Sequence, residues 1–355
     1  MLVTGGAGFI GSHLTEHLLL DGHEVHVIDD FSTGRRENLA NLRGNTPPHI
    51  HPLSICDRGR LEPLFKDVDH VYHLAALADI VPSIERPDDY MEANVVGTLR
   101  VLQAARKASV PRLVYAASSS CYGMATELPT PETAACRPEY PYALSKYLGE
   151  QIVLHWAHVY GVPALSLRLF NVYGTRSRTH GSYGAMFGVF LAQKIAGQPY
   201  TIVGDGRQRR DFTHVSDVVR ALVMAAKSQL CGQALNVGTG APVSVNRIVE
   251  LLGGDAVHIP KRPGEPECTQ ADVSKIRSLL GWRARVSIEQ GVASLLKNIE
   301  LWRESPVWTP DSIEEATRSW FACLARAGAP VRPARVQGAL EATERLRAND
   351  ARGQA

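Results

Sequence analysis

The residues best suited to acid–base chemistry are Tyr142 and Lys146, in the segment Tyr142-Ala-Leu-Ser-Lys146. On a helix, a spacing of four places both side chains on one face. A lysine cation beside a phenol favours the phenolate, which lets the tyrosine accept a proton near neutral pH. The bland alternative is a surface helix with a solvated lysine, so the pair needs context. Ala116-Ala-Ser118-Ser-Ser-Cys-Tyr-Gly123 supplies it: an apolar run that ends in hydroxyls. Read as a strand, this run puts Ser118 at the carboxyl edge of a sheet, where open α/β sheets bind ligands. Serines there also serve simply to cap the next element.

A second signal lies at the start of the chain. Thr4-Gly-Gly-Ala-Gly-Phe-Ile-Gly11 satisfies both Gly-x-Gly-x-x-Gly and Gly-x-x-Gly-x-x-Gly. Glycines in this pattern allow a tight turn, close approach of the backbone to a pyrophosphate, and close helix packing. The helix that follows directs its partly positive amino end at that pyrophosphate. The motif follows a short apolar strand at residues 2–4 and opens a helix ending near Asp21-Gly22. A second strand, residues 23–28, then closes on Asp29-Asp30, which is the setting the motif requires. Asp29 is placed to accept hydrogen bonds from both ribose hydroxyls and to repel a 2′-phosphate, favouring NAD over NADP. Arg35 and Arg36 nearby leave NADP open.

These groups need a frame. Further β-like runs stand at residues 71–75, 113–117, 164–170 and 234–237, with helical segments around 94–109 and 142–160. Strands alternating with helices of this size predict an α/β fold: a Rossmann-type doubly wound parallel sheet with both faces covered. Beyond residue 172 the pattern loosens into Gly-, Arg- and Pro-rich loops. A smaller α/β substrate-binding domain is expected there. The predicted organisation is a dinucleotide-binding domain over 1–172 with a returning segment near 213–240. A substrate domain follows from 173–212 and 241–325, and then a tail over 326–355.

Composition sets limits on function. With 355 residues, 45% apolar and 21% charged, the chain has an ordinary globular make-up and enough length for two moderate domains. A formal charge of +2 gives no support for a broad nucleic-acid or membrane-surface role. No apolar stretch approaches the roughly 20 residues of a membrane span. The opening residues lack a basic leader, so no signal peptide is expected. The 6 cysteines form no Cys-x-x-Cys pair, which argues against a zinc site or disulfide framework and fits a reducing cytoplasm. No metal is expected.

The glycine-rich turn, His73-Leu-Ala-Ala76, Asn94-Val-Val-Gly-Thr98, the serine run and the Tyr142/Lys146 pair carry a resemblance. In this order they resemble the extended short-chain dehydrogenase/reductase family, and within it the nucleotide-sugar epimerases and dehydratases. The likeness covers nearly all of residues 1–300. It implies Ser118 as the catalytic hydroxyl, Tyr142 as the acid/base and Lys146 holding the nicotinamide ribose. It also implies NAD contacts from Gly5, Gly8, Phe9, Ile10, Gly11, Asp29, Asp30, Thr33, Ile55, Leu74, Ala75, Ala76 and Asn94.

The substrate half carries the resemblance too. Arg168-Leu-Phe-Asn-Val-Tyr-Gly174 implies Asn171 at the diphosphate of a nucleotide sugar, and residues 204–214 imply Arg210 there. Lys261-Arg-Pro-Gly-Glu265 implies Arg262 on phosphate and Glu265 on ribose. Guanidinium groups suit this task because they make forked, charge-assisted hydrogen bonds to phosphate oxygens.

The implied activity is 4-epimerisation of a UDP-hexose or UDP-N-acetylhexosamine through a 4-keto intermediate. Dehydratases and decarboxylases of the family carry acids just after the catalytic hydroxyl; Ser119 and Ser120 stand there instead and favour epimerisation. The alternatives are a dehydratase or decarboxylase, a UDP-glucuronate 4-epimerase, and a non-catalytic dinucleotide sensor. The sensor is disfavoured because Ser118, Tyr142 and Lys146 are all kept. Departures from the family pattern are Ser54 for an acid at the adenine pocket, Thr175 for a proline, and Thr269 for a bulky tyrosine. The small Thr269 implies room for a 2-acetamido group, and Arg176 or Arg178 is weighed as a partner for a carboxylate. The resemblance further implies a homodimer packed through the helices at 94–109 and 142–160, in the cytoplasm.

Overall fold

The computed structural model describes residues 1–177 and 185–325. Arg178 and the expected tail over 326–355 lie outside the described residues. The central sheet contains β1 (Leu2–Thr4), β2 (His26–Asp29), β3 (His49–Pro52), β4 (His70–His73), β5 (Arg112–Ser118), β6 (Ala164–Leu169) and β7 (Ala234–Val237). Its order is β7-β6-β5-β4-β1-β2-β3, and every neighbouring pair is parallel. The sheet therefore winds in both directions from β1, and the carboxyl ends of β1 and β4 open side by side at the switch point.

Period-two alternation sorts the sheet residues between two cores. Leu2, Ile28, Val71, Leu113, Tyr115 and Ala117 face one side. There they meet Val101, Leu102 and Ala105 of α2 (Gly97–Lys107) and Val153 of α3 (Pro141–Tyr160). Val3, Val27, Tyr72, Val114 and Ala116 face the other side, against Leu14 and Leu18 of α1 (Phe9–Leu20) and Leu222 of α4 (Val215–Lys227). Buried apolar faces of this kind, at about 25 cal/mol per Å², dominate what holds such layers together. A third apolar cluster gathers Tyr173, Phe187, Phe190, Tyr200, Ile248 and Trp302. It surrounds the parallel pair Tyr200–Val203 and Ala256–Ile259. Among the described residues, no helix is long and apolar enough to cross a membrane.

Two elements depart from the sequence expectation. The edge strand β3 was not anticipated, because His49-Ile-His-Pro52 is largely exposed and shows no apolar face to read. Its terminal proline suits an edge, where a missing N–H breaks no ladder. The helix expected over 94–109 instead begins as a π-helical turn, Glu92–Val96, that feeds α2. Asn94 sits in that turn and bonds its side chain elsewhere, as described below; local π turns are common where a helix serves a site.

Candidate active site

The glycine turn joins β1 to α1. Gly5 has φ +73°, and a Cβ there would stand 2.6 Å from the Ala75 backbone nitrogen. A Cβ on Gly11 would overlap the Gly5 carbonyl oxygen. Side chains at these positions would therefore fill or break the cradle. Gly8 caps α1 without a side-chain hydrogen bond, so the first-turn amides have no intrahelical partner. Such an end attracts an anion. Phe9 and Ile10 supply that turn and do not line the groove beside it. Gly5, Gly8, Asp29, Asp30, Thr33, Ile55, Leu74, Ala75 and Ala76 line it. Ser32, Leu53, Ser54, Leu77 and Ala93 complete the lining.

Asp29 ends β2 in this groove. The Ala7 amide donates to its Oδ2 and the Phe31 amide to its Oδ1, each at 2.9 Å. Burial raises its carboxyl pKa, opposed by those two amides. One donor on each oxygen leaves lone pairs for a vicinal diol. Arg36 stacks on the Phe31 ring at 4.1 Å, and Arg35 donates to Asn38 Oδ1 at 3.1 Å.

His73 and Asn94 brace the groove from beneath. Buried His73 pairs its Nδ1 with Thr4 Oγ1 at 2.7 Å and its Nε2 with Thr98 Oγ1 at 2.9 Å. Burial, with Lys146 nearby, pushes its pKa down to about 3, so it stays neutral and acts as a cross-link. Asn94 Oδ1 accepts from the Leu77 amide at 2.8 Å, while its Nδ2 donates to Leu77 O and to Ser145 Oγ. Its amide thus fixes the 74–77 loop that forms one wall.

The Tyr142/Lys146 pair lies on α3, as the spacing predicts. Ser118, at the end of β5, hydrogen-bonds Tyr142. The same serine accepts from the Ser120 amide at 3.2 Å and caps the short turn after it, so the capping reading of the serine run holds. Burial raises the Tyr142 pKa, and the Ser118 bond opposes it. Lys146 is 4% exposed, with Nζ 4.4 Å from the Tyr115 ring centroid. Burial pulls its pKa down to about 7, against an upward pull from Glu150. The simple expectation of a lysine cation lowering the tyrosine is therefore incomplete, because burial dominates both groups.

Glu150, one turn further along α3, anchors a buried network. Arg168 on β6 donates to both Glu150 oxygens at 2.7–3.1 Å, and Ser166 Oγ donates to Oε2 at 2.9 Å. Arg168 also donates to the Tyr122 hydroxyl at 2.8 Å, which donates in turn to Asn236 Oδ1 at 2.7 Å.

The residues expected on the substrate side contact one another in two groups. Thr269 Oγ1 donates to Asn171 Oδ1 at 3.0 Å. Glu265 stands between the two expected phosphate arginines, with Oε1 3.2 Å from Arg262 Nη1 and Oε2 3.8 Å from Arg210 Nη2. Burial lowers the Arg210 pKa, opposed by Glu265. Arg176 bonds Glu16 Oε2 at 2.7 Å and the Ser12 carbonyl on α1, which ties it to the sheet's helix layer.

The model of the NAD dependent epimerase/dehydratase family matches residues 1–238. The chain belongs to that family. A UDP-glucose 4-epimerase of Mycolicibacterium smegmatis is 36% identical over 313 residues, covering 85% of this chain and 98% of the relative. The crystal structure of Thermotoga maritima UDP-glucose 4-epimerase with UDP-glucose superposes with TM-score 0.79 at 34% identity, covering 85% and 98% of the two chains. The UDP-N-acetylglucosamine 4-epimerase of Methanobrevibacter ruminantium, in complex with UDP-N-acetylmuramic acid, gives TM-score 0.78 at 30% identity, covering 84% and 98%.

As an epimerase/dehydratase family member the chain uses NAD, and the glycine cradle with Asp29 at its far end fits that group. Sequence reasoning missed Tyr140, whose ring stacks 6.4 Å from Tyr142 with planes 12° apart. It also missed that Cys121 and Cys136 meet in one small apolar cluster. Neither contact has a signal in linear spacing. Glu24, His26 and His49 bring three ligand-type atoms within 4.8 Å of one another. The two imidazoles are stacked with their planes 22° apart, and the Nε2 of each lies 3.3 Å from Glu24 Oε1.

Lys146→Met is expected to raise the melting temperature of the NAD-free protein, more at pH 6 than at pH 9. The lysine pKa falls from 10.5 to about 7 on folding, so between these values the unfolded state binds more protons. Stability climbs with pH across that window, and the penalty is fully present below it. At about 1.4 kcal/mol per pH unit the cost reaches a few kcal/mol at pH 6. Melting curves at both pH values check this; an equal gain at each would remove burial of the cation as the cause.

Proposed function

We propose that the protein is an NAD-dependent UDP-sugar 4-epimerase acting on a UDP-hexose or UDP-N-acetylhexosamine. The observation that carries this reading is the Ser118–Tyr142 hydroxyl pair, set in a serine run with no carboxylic acid to expel water or carbon dioxide. The named activities of the relatives support it. NAD, when bound, supplies the hydride acceptor and donor. Tyr142 holds and moves the proton of the sugar hydroxyl at its own oxygen, and Ser118 shares that proton through its hydrogen bond. Lys146 lies one turn from Tyr142, where it reaches the nicotinamide ribose. Asn171, Arg210, Arg262 and Glu265 hold the nucleotide diphosphate end, which fixes the sugar against Tyr142.

The same reading assigns residues 173–212 and 241–325 to the substrate half, around the third apolar cluster. It also includes a homodimer through α2 and α3. Leu144 and Leu148 support this, spaced four apart on α3 and 37% and 36% exposed. A cytoplasmic setting is supported by six unpaired cysteines.

The test is to incubate NAD-loaded protein separately with UDP-N-acetylglucosamine, UDP-glucose and UDP-glucuronate, and to follow products by proton NMR. The matching 4-epimer is expected; loss of water or carbon dioxide, or no turnover, would refute the assignment. Thr269→Tyr tests the pocket. It is expected to lower the kcat/KM ratio of the N-acetylated over the plain hexose substrate by about tenfold or more, since a filled pocket rejects added bulk. An unchanged ratio would mean that position 269 does not meet the 2-substituent.

A further inference from the structure

The helix Arg318–Leu324 lies well beyond residue 238, where the family model stops. It packs against the helix Ile80–Glu85, which follows β4, and Ser319 Oγ donates to Glu85 Oε1 at 2.9 Å. Its other side meets the substrate half. Trp320, 3% exposed, donates its indole N–H to Pro263 O at 2.8 Å. The indole lies 5.4 Å from the Arg262 guanidinium and 6.4 Å from the Tyr140 ring. Tyr140 in turn stacks on Tyr142. One indole therefore touches both the arginine loop and the aromatic neighbour of the catalytic tyrosine.

We infer that Trp320 is a positioning residue of the nucleotide-sugar site, orienting Arg262 toward the diphosphate and forming, with Tyr140, the wall between diphosphate and sugar. This inference rests on the UDP-sugar reading above. A guanidinium lying against an indole face gains cation–π attraction, and its planar fork of N–H groups suits in-plane bonds to phosphate. Glu265 is the competing partner at 3.2 Å. Without the indole, Arg262 closes onto that carboxylate and meets a phosphate less often. The apolar wall also excludes water, which strengthens the arginine–phosphate attraction.

The experiment uses the NAD-loaded full chain and two variants, Trp320→Leu, which keeps apolar bulk, and Trp320→Phe, which keeps an aromatic face. UDP binding is measured by calorimetry, and KM and kcat with the best UDP-sugar. Trp320→Leu is expected to weaken UDP binding and raise KM about tenfold with kcat changed less than about threefold, while Trp320→Phe stays within about threefold of the parent. In an Arg262→Ala background, Trp320→Leu is expected to add no further loss, because the residue acts through Arg262. Equal behaviour of the Leu and Phe variants, or additive losses in the double variant, would overturn the inference. A parent protein that binds no UDP would instead overturn the substrate reading on which it rests.

Discussion

Tyr142→Phe is expected to lower kcat by about 10²–10⁴-fold, the usual contribution of a positioned acid–base group. NAD should remain bound, because the cradle at Gly5, Gly8 and Gly11 and the carboxylate of Asp29 do not involve the phenol. Phenylalanine keeps the ring that packs against Tyr140 and Tyr90, so the fold has no reason to change. What disappears is the only oxygen of that ring, the one bonded to Ser118. The decisive comparison is single-turnover kinetics beside NAD content: retained cofactor with lost turnover supports the assignment, and near-parent turnover removes Tyr142 from the chemistry.

The second large effect concerns stability. Glu150→Ala is expected to destabilise the protein by about 3–5 kcal/mol, the range for removing one partner of a buried ion pair. Glu150 and Arg168 are both almost fully buried, and the carboxylate takes donors from Arg168 and Ser166. Its removal leaves a buried guanidinium with, among the described residues, the Tyr122 hydroxyl and the Glu132 carbonyl as its remaining hydrogen-bond acceptors. It also removes the group that raises the Lys146 pKa, so the effect reaches the active site. Denaturant unfolding measures the first consequence. A loss below about 1 kcal/mol, the value of an exposed pair, would mean that the network is solvated in solution.

These effects depend on a network that no spacing rule displays. Glu150 and Arg168 are 18 positions apart on different elements, and Tyr122 reaches Asn236 across 114 residues. The motif Arg168-Leu-Phe-Asn-Val-Tyr-Gly174 drew attention to Asn171, yet its first arginine is a buried structural cation. His73 and Asn94 were legible only as members of a pattern; the structure shows the first as a neutral cross-link and the second as a loop brace. In each case a polar group buried by the fold had to be satisfied by whatever partner the fold brought near.

Local chemistry made the rest readable. A glycine at φ +73° with backbone pressed against it leaves one residue type possible at position 5, so the cradle is written in the chain itself. Helical periodicity placed Tyr142 and Lys146 on one face, and apolar runs announced β5, β6 and β7 because these strands are covered on both faces of the sheet. The sequence by itself thus determined the winding of the sheet, the dinucleotide cradle and the Tyr142/Lys146 pair. Only the tertiary structure decided that burial governs both of those side chains, that Glu265 stands between Arg210 and Arg262, and that Trp320 lies against the Arg262 guanidinium. The reason is physical: periodicity and glycine conformation act within a few residues, whereas desolvation, ion pairing and aromatic contact depend on neighbours that folding alone brings together.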